Sequence, residues 1–106
     1  MCTMIVERAA ISGSGKGTQG WFRLGAVNVT YDHPFDAPLE HALNLDFVNE
    51  AEGPGARVAV ELTPESARRL VAAIVTALGR AEAGGYLEDG PAGGAPDSGD
   101  GAAPRP

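Results

Sequence analysis

A chain of 106 residues with a net charge of −6, one cysteine and 43% hydrophobic residues has room for one domain. The acidic balance argues against nucleic acid, because phosphate contacts need clustered Lys and Arg, and the one basic cluster is Arg68 with Arg69. A single Cys2 excludes an internal disulfide framework, and neither an apolar run of about 18 residues nor a charged leader is present, so a cytoplasmic protein with no membrane partner is expected.

Residues 2–11 (CTMIVERAAI) alternate, with Cys2, Met4 and Val6 on one side and Thr3, Ile5 and Glu7 on the other, which predicts a first strand. Residues 12–20 (SGSGKGTQG) read as a loop by their glycines and serines. A second strand is expected over residues 21–32, with Val27, Val29 and Tyr31 on one face, Asn28 and Thr30 on the other, and a bulge at Gly25. A third strand over residues 40–49 places His41, Leu43, Leu45 and Phe47 opposite Asn44 and Asp46. The connection EAEGPG leads to a fourth strand, residues 56–62, with Val58, Val60 and Leu62 inward.

Thr63 then has the chemistry of a helix cap, with Pro64 at the first helical position and Glu65 in the first turn. Ala67, Leu70, Val71, Ile74, Ala77 and Leu78 recur at helical spacing and make an apolar face. Beyond it, residues 84–106 are dominated by Gly, Ala, Pro and Asp and bury too little surface to offset the entropy of ordering them. The expected organisation is one α+β domain, residues 1–83, and a disordered acidic tail, residues 84–106. The domain is a four-stranded antiparallel meander with one C-terminal helix packed on one face. The other face carries Asn28, Thr30, Asn44, Asp46, Arg57 and Glu61. A body this small gains from association, so a homodimer through an edge strand or this polar face is expected.

Residues 13–19 (GSGKGTQ) resemble the phosphate-binding loop of adenylate kinases, but the pattern lacks its first glycine, since Ala10 stands there, and Gly17 follows the lysine. The run continues into Trp21, Phe22 and a strand pattern, where a phosphate loop has to open a helix, so it reads as a hairpin loop. Cys2 follows the initiator and resembles, by one residue, the N-terminal nucleophile of amidotransferases, whose fold is far larger than this chain.

The stretch that carries chemistry is residues 31–46 (YDHPFDAPLEHALNLD), which holds both histidines. A hairpin brings Asp32 and His33, at the end of one strand, beside Glu40 and His41, at the start of the next. Two imidazoles with the carboxylates of Asp32, Asp36 and Glu40 make a mixed nitrogen and oxygen set suited to zinc, iron or manganese. Cys2 as a further ligand shifts the preference towards zinc or copper. The same His and carboxylate pairs are candidates for catalytic acid/base work near neutral pH. The competing reading makes Asp32-His33-Pro34 a turn and His41 a core histidine. The chain is then a non-catalytic module in which the polar sheet face, with Asn28 and Thr30, or Arg68 and Arg69, meets a partner.

The opening MCTMIVERAAISGSGKGTQGWFRL, the run YDHPFDAPLEHALNLDFVNE and the segment GPGARVAVELTPESARRLV resemble a family of small actinobacterial proteins of unassigned function. The resemblance spans residues 2–78. It implies a bacterial cytoplasmic protein and brings no catalytic residue with it.

Overall fold

In the computed structural model, residues 3–89 are described. Six strands precede one long helix: β1 (Ile5–Ala10), β2 (Ser14–Gly17), β3 (Gly20–Arg23), β4 (Ala26–Asp32), β5 (Ala42–Val48), β6 (Arg57–Leu62) and α1 (Pro64–Ala83). The main sheet has the order β1-β4-β5-β6, every pair antiparallel, and β2-β3 form a small sheet of their own. The class is α+β, as the strand patterns and the Thr63-Pro64 signal imply.

Residues opposite one another in an antiparallel pair share a face. The register Val29 to Leu45 to Val60 therefore builds an apolar face from Val27, Val29, Leu43, Leu45, Phe47, Val58 and Val60. The register Asn28 to Asp46 and Thr30 to Asn44 to Glu61 builds the polar face. Its groups pair with each other. Arg57 Nε donates to Asp46 at 2.7 Å, Arg8 Nη1 donates to Asn28 Oδ1 at 2.8 Å, and Asn44 Nδ2 donates to Thr30 Oγ1 at 3.3 Å.

The loop expected over residues 12–20 is corrected to a hairpin. Ser14 pairs with Arg23 and Lys16 with Trp21, joined by a two-residue turn at Thr18 and Gln19. Glycine composition predicts looseness, but here glycine answers a close approach. A side chain at Gly17 would stand 3.3 Å from the Arg57 carbonyl and 3.4 Å from that of Gly55. The strand expected to run unbroken over residues 21–32 is likewise two strands. The chain steps between sheets at Leu24 and Gly25, where Leu24 N donates to Gly13 O at 2.9 Å and Gly25 N to Val48 O at 2.9 Å. The hairpin excludes the phosphate-loop reading on geometry, because these residues open a strand pair and no helix.

Helix α1 starts where its local chemistry says it should: the Thr63 hydroxyl accepts from Ser66 N at 3.0 Å, and Pro64 takes the first position. Gly84 closes it, its N–H donating to Arg80 O at 3.1 Å. A short 3-10 turn, Tyr86–Asp89, follows, and residues 90–106 of the expected tail lie outside the described residues. Among the described residues no helix is long and apolar enough to cross a membrane.

The buried hydrophobic residues are small: Ala26, Ala42, Val48 and Ala56. The helix touches β5 and β6, yet Leu70, Val71, Ile74, Val75 and Leu78 remain 41% to 62% exposed.

Candidate functional site

β4 ends at Asp32 and β5 begins at Ala42, and the two are register partners, so residues 33–41 leave and re-enter the sheet at the same end of its two central strands. Pro34 and Pro38 restrict the backbone of this connection. Its position is fixed from the neighbouring strand. Glu61 on β6 presents its carboxylate to three successive amides: Phe35 N donates to Oε2 at 2.6 Å, and Asp36 N and Ala37 N donate to Oε1 at 3.0 and 2.9 Å. These bonds favour the ionised carboxylate. The Ala37 amide leads, with Phe35 and Asp36 adding to it against a desolvation cost, and together they hold the Glu61 pKa below the usual glutamate value.

A second tie closes the other end of the connection. The His33 ring contacts the Glu40 carbonyl through Nδ1 at 2.9 Å. A carbonyl oxygen only accepts, so Nδ1 carries the proton in this bond and Nε2 of the neutral ring keeps its lone pair. That is the tautomer an Nε2 metal ligand needs, with the outer hydrogen bond orienting the ring. The backbone N–H of His33 donates to Asp32 Oδ1 at 2.8 Å.

His41 completes the group. Its ring lies against His33 with centroids 5.0 Å apart and against Tyr31 at 5.7 Å, with interplanar angles of 26° and 28°. Asp32, His33 and His41 each offer one ligand atom, and these atoms all lie within 4.8 Å of one another. His33 is exposed, while Asp32 and His41 are half-buried. Ligands about 2.1 Å from a tetrahedral ion are about 3.4 Å apart, so a pair of donors at the 4.8 Å limit has to draw in by about 1.4 Å to close on a metal.

Sequence reasoning paired Asp32 with His33 and Glu40 with His41, and the structure unites three of those four. Glu40 stands outside the three-donor group, and it is the Glu40 carbonyl, not the carboxylate, that reaches His33. Asp36 is likewise outside the group, its amide engaged with Glu61. Cys2 lies outside the described residues. Glu61 is the residue that sequence reasoning missed. The only signal was its outward position on β6, shared with any solvated side chain of that face.

The model of a family of unknown function (DUF6295) matches residues 1–87. No curated protein and no solved structure matches the chain.

Proposed function

We propose that this chain, which belongs to the family of unknown function DUF6295, binds a divalent metal ion through Asp32, His33 and His41. One observation carries the reading: three donors of the right kinds converge within 4.8 Å at one end of the two central strands. The Nδ1 bond to the Glu40 carbonyl supports it, because it selects the ring tautomer that leaves Nε2 able to ligate.

Two imidazole nitrogens and one carboxylate oxygen suit zinc or iron(II) and leave coordination positions open, the arrangement that catalytic sites share and closed structural sites lack. A metal held there would lower the pKa of a bound water and act as a Lewis acid. The roles of this chain's residues would be to hold the ion, His33 from an exposed position and His41 from a half-buried one stacked against Tyr31.

The test is elemental analysis of chain purified without chelators, beside a His33→Ala, His41→Ala variant. About one equivalent of zinc or iron, lost in the variant while its circular dichroism stays unchanged, supports the site. An apo protein that gains no thermal stability on titration with zinc, iron(II), copper or manganese sinks it.

A further inference from the structure

The twenty residues of α1 carry more apolar surface than the chain covers. Leu70, Val71, Ile74, Val75 and Leu78 are between 41% and 62% exposed, and among the described residues no large side chain is fully buried. The strand residues of the apolar sheet face, Val27 to Val60, are only half-buried as well. A domain of this size cannot leave both its helix stripe and its sheet face open without a partner, since exposed apolar patches on this scale mark interfaces. Residues 90–106 (GPAGGAPDSGDGAAPRP) contain no bulky apolar side chain with which to cover them.

We infer that the occupant is a second copy of this chain, with α1 packed antiparallel against α1 of the partner and the contact continued onto the apolar sheet face. The pattern of the helix carries this. Ala67, Val71, Ile74, Leu78 and Ala81 follow the 4-3-4-3 spacing of a helix-pairing seam. The column beside that seam, at steps of seven, is Arg68, Val75 and Glu82, and the far side holds Ser66, Arg69, Thr76, Gly79 and Arg80. When two such helices run antiparallel about a two-fold axis at Val75, the same column faces itself. Arg68 then meets Glu82 of the partner subunit, and by symmetry Glu82 meets the partner's Arg68. A parallel pair sets this column against Leu70 and Ala77, where neither charge has a complement. Arg69, on the outer side, is already engaged with Glu65 at 2.9 Å within its own helix.

The area agrees. A 20-residue helix is about 30 Å long and about 10 Å wide, which gives about 300 Å² of face. Four strands of about six residues cover about 19 by 20 Å, or about 400 Å². The helix face alone falls short of the roughly 800 Å² per partner of a standard interface, and the part of the sheet face that the chain leaves open brings the total nearer to it.

Sedimentation velocity of the full chain across the micromolar range tests this, with Arg68→Glu, Glu82→Arg and the combined charge swap as variants. The wild type is expected to sediment as a dimer. Each single reversal sets like charges together at both ends of the seam and is expected to weaken the dimer about tenfold or more, and the swap to restore it. These residues are exposed, so the variants fold whether or not they pair, which circular dichroism verifies. A wild-type monomer throughout the range overturns the inference, as does a dimer indifferent to both reversals. A monomer that binds neutral phosphatidylcholine vesicles also overturns it and assigns the stripe to a lipid surface. None of these outcomes bears on the metal, because no substituted residue touches Asp32, His33 or His41.

Discussion

The connection of residues 33–41 and helix α1 satisfy opposite halves of the folding problem. The connection has no regular structure, yet each of its ends is tied: Glu61 accepts three of its amides and the Glu40 carbonyl holds the His33 ring. The helix is regular from its Thr63 cap to Gly84, yet its largest apolar side chains stand half in water. Regular backbone and settled side chains are separate achievements. The first needs only local hydrogen bonds, whereas the second needs a surface to pack on. A site that must hold donors within an ångström or so of their working positions is served better by the irregular but pinned segment.

The largest effect expected within that contrast comes from unpinning the connection. Glu61→Ala removes the acceptor of three amides without touching a proposed ligand. Groups bonded directly to a metal ligand are worth about 10- to 100-fold in metal affinity, and Glu61, which acts one step further out through the backbone, is expected at the low end, about 10-fold. Zinc or iron binding is expected to weaken by that factor while the sheet persists, with faster hydrogen exchange at Phe35, Asp36 and Ala37. Unchanged exchange at those amides would show that the prolines alone hold the segment.

Acid sharpens the same point. The Glu61 pKa is lowered in the fold, so its contribution is present above the unfolded glutamate value of about 4.3 and is lost as pH falls through the lower folded value. Amide protection of residues 35–37 in the metal-free chain is therefore expected to fall on acidification below about pH 4.3, ahead of the strand amides. Glu61→Gln should flatten that dependence. A profile identical in the two proteins would place the acid sensitivity elsewhere.

What the sequence made legible follows from the range of each cause. Alternation in β4, β5 and β6 and the Thr63-Pro64 signal depend on residues a few positions apart, and these elements fall within the expected spans, although β4 takes only the second half of the strand expected over residues 21–32 and β5 is shorter than the expected 40–49. The convergence of Asp32, His33 and His41 was legible because one hairpin brings its own ends together. The β2-β3 hairpin was not, because Gly17 answers a contact with Gly55 and Arg57, about forty residues along the chain. Glu61 was missed for the same reason, since alternation reports which face a residue occupies and not which amide will meet it 24 to 26 residues away. The helix stripe was visible by periodicity, but periodicity says only that the face wants cover.

On the helix side of the comparison the effects are smaller, because local signals are individually weak. Thr63→Ala removes the side-chain acceptor for Ser66 N and is expected to cost about 1 kcal/mol of stability by chemical denaturation. The metal titration should be unaltered, since the Thr63 hydroxyl serves Ser66 N and no proposed ligand lies on the helix. A loss of metal affinity on this change would mean that the helix and the pinned connection are coupled.

The smallest effect discriminates between a bare helix and a paired one. Gly79 sits inside α1 with nothing within 4 Å of where a Cβ would stand, and it falls on the side away from the seam of Val71, Ile74 and Leu78. Glycine in an exposed helix interior is about 0.8 to 1 kcal/mol less favourable than alanine. Gly79→Ala should therefore stabilise the chain by about that amount in urea unfolding while leaving the sedimentation coefficient unchanged. A destabilised variant would mean that a partner's backbone approaches Gly79, which moves the seam to the other side of the helix. The helix would still need cover, but Arg68 and Glu82 would no longer flank it, and the antiparallel register built on them would fall.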